Sequence, residues 1–192
     1  SSVSVQYISA AILKLSSKDK KFPSVVVTDQ RICTQDGGRF YYCVSLDNYA
    51  NHQIGWAVSG RFTSQPPKRG MGVGDDTVSW GWSARRRTCF FNAKELPYPS
   101  AFEVSQVSVL GCGVDMQTGV IEFFQNGEPL GRAFKLTLPP GEQLRPAVSL
   151  APPLRFGGKL LSVTLFLNET DMPGGVPIGY RAIGVDSRKA SV

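Results

Sequence analysis

The chain has 192 residues, of which 42% are hydrophobic and 19% charged, and it carries a formal net charge of +6. This length is enough for one sizeable core, the composition excludes wholesale disorder, and no apolar run reaches the roughly 20 residues that a membrane-spanning helix needs. Twenty glycines and 13 prolines favour short strands joined by turns over a helical protein.

In chain order, residues 7–15 place Ile8, Ile12 and Leu15 at helical spacing and predict a short helix, which the lysine-rich stretch 16–21 ends. The basic-then-apolar order of a secretory leader is not expected at this N-terminus. From Val25 onward the pattern turns to strands. Residues 39–47 alternate, with Phe40, Tyr42, Val44 and Leu46 on one face and Tyr41, Cys43 and Ser45 on the other. Residues 53–58, 78–83 and 107–115 are further short runs rich in aromatic or β-branched side chains, bounded by glycine and polar turns. The sharpest local signal is Asn126-Gly127, a pair favoured in a tight type I′ hairpin turn because both positions need positive φ. It joins a strand at 119–125 to one at 128–134, and a turn at 115–119 leads into the same strand, so three consecutive strands form a meander. Residues 144–150 follow a Pro-Pro-Gly turn, and 159–167 alternate with Leu161, Val163, Leu165 and Leu167 facing one way. About ten strands, with turn signals every ~8–12 residues, predict an all-β fold built as a sandwich of two antiparallel sheets. The turn-rich stretch 172–180 is expected to fold back on the sandwich, with Tyr180 as its anchor.

Gly72-Val73-Gly74-Asp75-Asp76 sets two carboxylates after a glycine turn and just before Trp80 and Trp82. Adjacent residues on an extended chain point to opposite sides, so Asp75 and Asp76 do not converge readily on one metal or substrate. A carboxylate accepting backbone N–H bonds in the turn is the expected role, and no catalytic residue is assigned. Trp80 and Trp82 share a strand face and are read as core, as is Trp56. His52, the single histidine, sits between Asn51 and Gln53 and is expected on the surface. Cys33, Cys43, Cys89 and Cys112 form no Cys-x-x-Cys pair, so neither a zinc site nor any other cofactor is expected. Reduced thiols, with an intracellular setting in cytoplasm or nucleus, are the reading preferred over two disulfides.

The ordered motifs resemble the SPRY domain family. They are Gly38-Arg39-Phe40-Tyr41-Tyr42 with Val44, Ile54-Gly55-Trp56-Ala57, Gly74-Asp75-Asp76, and Ser79-Trp80-Gly81-Trp82. Gly113-Val114-Asp115, the run 119–127 with Gly131 and Phe134, and the run 144–150 complete the set across about residues 25 to 167. Gly72 to Asp76 is also similar to one of the SPRY repeats of ryanodine receptors. The resemblance implies a bent β-sandwich without catalytic activity that binds other proteins through loops at one edge, as an adaptor or scaffold module of a larger chain. Residues 1–24 are then an N-terminal extension, 25–167 the sandwich, and 168–192 a tail packed partly on it.

The exposed chemistry is basic. Between Arg61 and Arg87, six cations stand against two acids. Arg61, Lys68 and Arg69 lie in a Pro-rich loop at 59–72, and Arg85, Arg86 and Arg87 in a second loop at 83–92 that also holds Phe90. If the loops meet at one edge, they form a positive rim for an acidic or phosphorylated peptide. In SPRY adaptors of the ubiquitin-ligase type, the resemblance implies a pocket with hydroxyls where this chain carries Phe90 and Val58. Without those donors the buried amides of an Asn-rich peptide would go unpaired, so a different ligand is expected here. Two other readings use the same features. A nucleic-acid-binding edge needs exposed aromatics beside the cations, and a lectin-like site needs Trp80 or Trp82 exposed. As an isolated domain the chain is expected to be monomeric, with no membrane partner.

Overall fold

A computed structural model describes residues 3–9, 12–17, 24–46, 51–62, 72–99, 109–151 and 161–184. Apart from two three-residue 3-10 turns at Thr34–Asp36 and Glu169–Asp171, the regular structure of the described residues is all strand, in two sheets. The first sheet contains β1 (Val3–Ser9), β2 (Ile12–Ser17), β5 (Arg39–Leu46), β10 (Val109–Asp115), β11 (Val120–Gln125), β12 (Glu128–Lys135) and β14 (Leu161–Phe166). Their order is β1-β2-β14-β5-β10-β11-β12. The two-residue strand β15 (Arg181–Ala182) adds to β5 in parallel, while every other pairing of this sheet is antiparallel.

The second sheet contains β3 (Ser24–Val27), β4 (Ile32–Cys33), β6 (Asn51–Val58), β7 (Ser79–Ser83), β8 (Thr88–Phe91), β9 (Lys94–Pro97) and β13 (Gln143–Ala151). It runs β3-β13-β6-β7-β8-β9, with β4 also on β13, and is antiparallel throughout. The all-β sandwich of two antiparallel sheets is therefore observed, with β10, β11 and β12 as the predicted meander. Asn126 (φ 53°) and Gly127 (φ 86°) both occupy the left-handed region that the hairpin turn requires.

The helix predicted over 7–15 is not formed. Residues 7–9 and 12–15 belong instead to the antiparallel strands β1 and β2, and Leu13 and Leu15 stand opposite Leu165 and Val163 of β14. A helix of nine residues is marginal on its own, whereas a strand between two others pairs its backbone on both sides.

The inner faces meet in an aromatic core. Tyr42 on β5 packs edge-on against Trp56 on β6 at 5.1 Å and donates its hydroxyl to the Gly55 carbonyl at 2.5 Å. Trp82 on β7 stacks on Phe123 of β11 at 5.3 Å. All three tryptophans are buried, as the sequence predicts. The four cysteines are free thiols, and burial pushes the Cys43 thiol up to about 12.

The alternation on β5 leaves a second apolar face, and the tail covers it. Tyr180 packs edge-on against Tyr41 at 6.1 Å and Phe124 at 5.5 Å, and its ring fills the space that a side chain on Gly113 would need. Its hydroxyl accepts from Arg39 at 2.9 Å and donates to Glu122, which pairs with Arg39 at 2.8 Å.

Candidate functional site

The Gly-Val-Gly-Asp-Asp segment lies flat on the outer face of the second sheet. Glycine makes this approach available, because a Cβ on Gly81 would stand 2.1 Å from the Val73 carbonyl oxygen. Val73 buries against Ala57 and Ala147, and its N–H donates to Ser149 Oγ at 3.1 Å. Asp75 accepts from the Gly72 N–H at 2.6 Å, and Asp76 from the Val78 N–H at 2.9 Å and the Ser79 hydroxyl at 2.7 Å. Each carboxylate thus closes its own turn. Burial pushes the Asp75 carboxyl above its ordinary value, against the pull of the Gly72 N–H, the Gln53 amide and the Arg86 charge. Among the described residues no group of three or more His, Cys, Asp or Glu side chains is arranged to hold a metal ion.

The three arginines form the tip of the hairpin that joins β7 to β8. Ala84 to Arg87 make a tight turn, with the Arg87 N–H donating to the Ala84 carbonyl at 3.2 Å and Arg87 itself at φ 54°. The turn is tied down on both sides. His52 Nε2 accepts from the Ala84 N–H at 3.2 Å, Ser83 Oγ accepts from the Arg86 N–H at 3.4 Å, and the Arg87 carbonyl accepts from Tyr98 at 2.9 Å. Arg85, Arg86 and Arg87 are all exposed. Arg86 is committed locally: its guanidinium lies 4.9 Å from the Phe90 ring centroid and 2.5 Å from Glu95 Oε1.

Three expectations are corrected here. Phe90 belongs to strand β8 rather than to a loop and is 1% exposed, because it faces Gly81 across the strand pair and packs under Gly74. It supports Arg86 from below and offers no contact surface. His52 is 2% exposed, since its position on β6 points inward beneath the arginine turn. Arg61 does not join the other arginines. Antiparallel pairing of β6 and β7 sets Val58 beside Val78 and His52 beside Ala84, so Arg61 and Arg85 to Arg87 emerge at opposite ends. Arg61 pairs there with Glu142 at 3.4 Å. Lys68 and Arg69 lie outside the described residues.

Val58 is buried, like Phe90, so both positions where the adaptor pocket would carry a hydroxyl are apolar and hidden. Trp80 and Trp82 are buried too, which removes the stacking platform that the nucleic-acid and lectin readings call for. The sequence reading also missed Glu95 and strands β8 and β9. The apolar run Cys89-Phe90-Phe91 followed by Asn92 was the available signal, weakened by an alanine at the second turn position.

This pair of sheets, with a glycine-lined outer face and an arginine-tipped hairpin, defines an all-β sandwich with exposed charge concentrated at a hairpin tip. The sequence profile of the SPRY domain matches residues 39–160, and the chain belongs to the SPRY domain family. It is 34% identical over 117 residues to the E3 ubiquitin-protein ligase RKP of Arabidopsis thaliana, covering 59% of this chain and 8% of that protein. It is 30% identical over 104 residues to the human SPRY domain-containing SOCS box protein 1, covering 48% of this chain and 37% of that protein. The chain therefore spans well under half the length of these relatives. The crystal structure of the SPRY domain of human HERC1 superposes with a TM-score of 0.57 at 14% identity, covering 88% of this chain and 94% of that one, which shows a shared fold. No helix among the described residues is long and apolar enough to cross a membrane.

Proposed function

We propose that the chain is a non-catalytic recognition module that docks an acidic or phosphorylated segment of a protein partner on the arginine turn. The observation that carries this reading is the turn itself, where three exposed guanidinium groups stand on four residues held by His52, Ser83 and Tyr98. Like charges so close repel one another, and an anionic partner relieves that repulsion while accepting forked hydrogen bonds. A preformed turn also loses little entropy on binding. Glu95 and Phe90 brace Arg86 within the turn, and Arg85 and Arg87 flank it on the same exposed tip. The two relatives are named as a ubiquitin ligase and a SOCS box protein, and by analogy this module serves as the recruiting part of a larger assembly.

Replacing Arg85→Glu together with Arg87→Glu is expected to abolish capture of partner proteins, while the thermal midpoint stays within about 2 °C of the parent because both side chains are exposed. Capture by the parent should also weaken as salt is raised. Capture that survives both the double reversal and high salt would remove the turn from the function.

A further inference from the structure

The geometry points to a second binding site at the other end of the sandwich, a cleft that takes a large apolar side chain of a partner peptide flanked by a carboxylate. The cleft measures about 310 Å³ and opens between the ends of the two sheets, where Val58 meets Val78. One wall is the pair Trp80 and Phe91, stacked with ring centroids 5.6 Å apart and planes 4° apart. Phe134, Leu136 and Leu138 form the facing wall. That wall is held in place by the Leu136 N–H, which donates to the Gly119 carbonyl at 2.7 Å.

The rim decides the ligand's charge. Arg61 and Lys135 line the cleft together with the hydroxyl residues Thr77 and Thr137, and among the described residues no carboxylate lines it. Lys135 donates to the Thr118 carbonyl, which orients the ammonium without neutralising it. Glu142 lies 3.4 Å from Arg61, but this is a long pair with 57% of the arginine side chain exposed, so the rim stays net positive. A volume near the lower end of the roughly 300–1,000 Å³ of ligand pockets suits one aromatic or branched side chain and its neighbours rather than a whole cofactor. The apolar lining favours a large apolar side chain, and the two cations favour an adjacent aspartate or glutamate.

The site is independent of the arginine turn, from which it is separated by the length of β6 between His52 and Val58, about 20 Å at strand rise. Three blocked dipeptides test it, acetyl-Asp-Phe-amide, acetyl-Asn-Phe-amide and acetyl-Asp-Ala-amide, titrated into isotope-labelled chain while the amide resonances of Val78, Trp80, Leu136 and Leu138 are followed. Saturable shifts are expected with the first, affinity lower by about two- to fivefold with the second, and no response to the third. Arg61→Gln should reduce the preference for aspartate over asparagine. The pair Arg61→Glu and Lys135→Glu should reverse it toward acetyl-Lys-Phe-amide, whereas Arg85→Glu with Arg87→Glu should leave it unchanged. Silence at all four resonances, equal affinity for the first two peptides, or shifts confined to Arg85 to Arg87 would overturn the assignment.

Discussion

Four non-glycine residues among those described hold a positive φ: Arg87 at 54°, Asn92 at 53°, Ala93 at 56° and Asn126 at 53°. Each closes a hairpin. Asparagine tolerates this conformation because its short side chain hydrogen-bonds locally, but alanine has no such compensation and bears a steric cost of about 1–2 kcal/mol. Ala93→Gly is therefore expected to raise stability by about 1 kcal/mol, seen as a higher urea midpoint at unchanged slope; a lower midpoint would show that the turn is not strained. The same comparison explains what was legible at this scale. Asn126-Gly127 announces its turn because both residues suit it, while Asn92-Ala93 makes an equivalent turn imposed by the pairing of β8 with β9 and by the Asn92 N–H on the Asp76 carbonyl. His52 gave no local sign of burial, since a polar neighbourhood in sequence says nothing about what packs above it.

The tail is the element with the clearest work. Residues 168–184 cross the outer face of the first sheet, where Tyr180 fills the gap over Gly113 and joins Arg39 to Glu122. Its anchoring role was readable because a lone tyrosine in a glycine- and proline-rich stretch has few other reasons to be large and apolar. The partners were not readable, because they lie on strands more than fifty residues earlier. Tyr180→Phe keeps the ring and removes the hydroxyl, and should cost about 1 kcal/mol. Tyr180→Ala removes the ring contacts with Tyr41 and Phe124 as well, and should cost about 2–3 kcal/mol for a side chain that is only partly buried. Equal losses in urea unfolding would mean that the hydroxyl alone holds the tail.

For the whole molecule, the consequence of the antiparallel β6–β7 pairing is that the basic residues form two separate features. A separation of about 20 Å exceeds the screening length of about 8 Å at physiological salt. Charge changes at the two ends should therefore act additively. Arg87→Gln alone, which weakens binding without reversing the charge of the turn, should make the salt dependence of partner binding shallower, and Arg61→Glu with Lys135→Glu should not alter it. A change in that slope from the Arg61 and Lys135 pair would show that one continuous field serves both ends.

Periodicity two, turn chemistry and the order of the glycine- and aromatic-bearing motifs are local properties, so the amino-acid sequence alone established an all-β sandwich, its meander and its SPRY resemblance. It also read Asp75 and Asp76 as acceptors of backbone N–H bonds in the glycine turn, which is where their carboxylates lie. Only the tertiary structure decided that 7–9 and 12–15 pair as strands, that Phe90 lies beneath Arg86, and that Arg61 stands apart from the arginine turn. The reason is physical: alternation shows which side chains share a face, but which face is covered and which strand ends meet depend on pairing between segments distant in the chain.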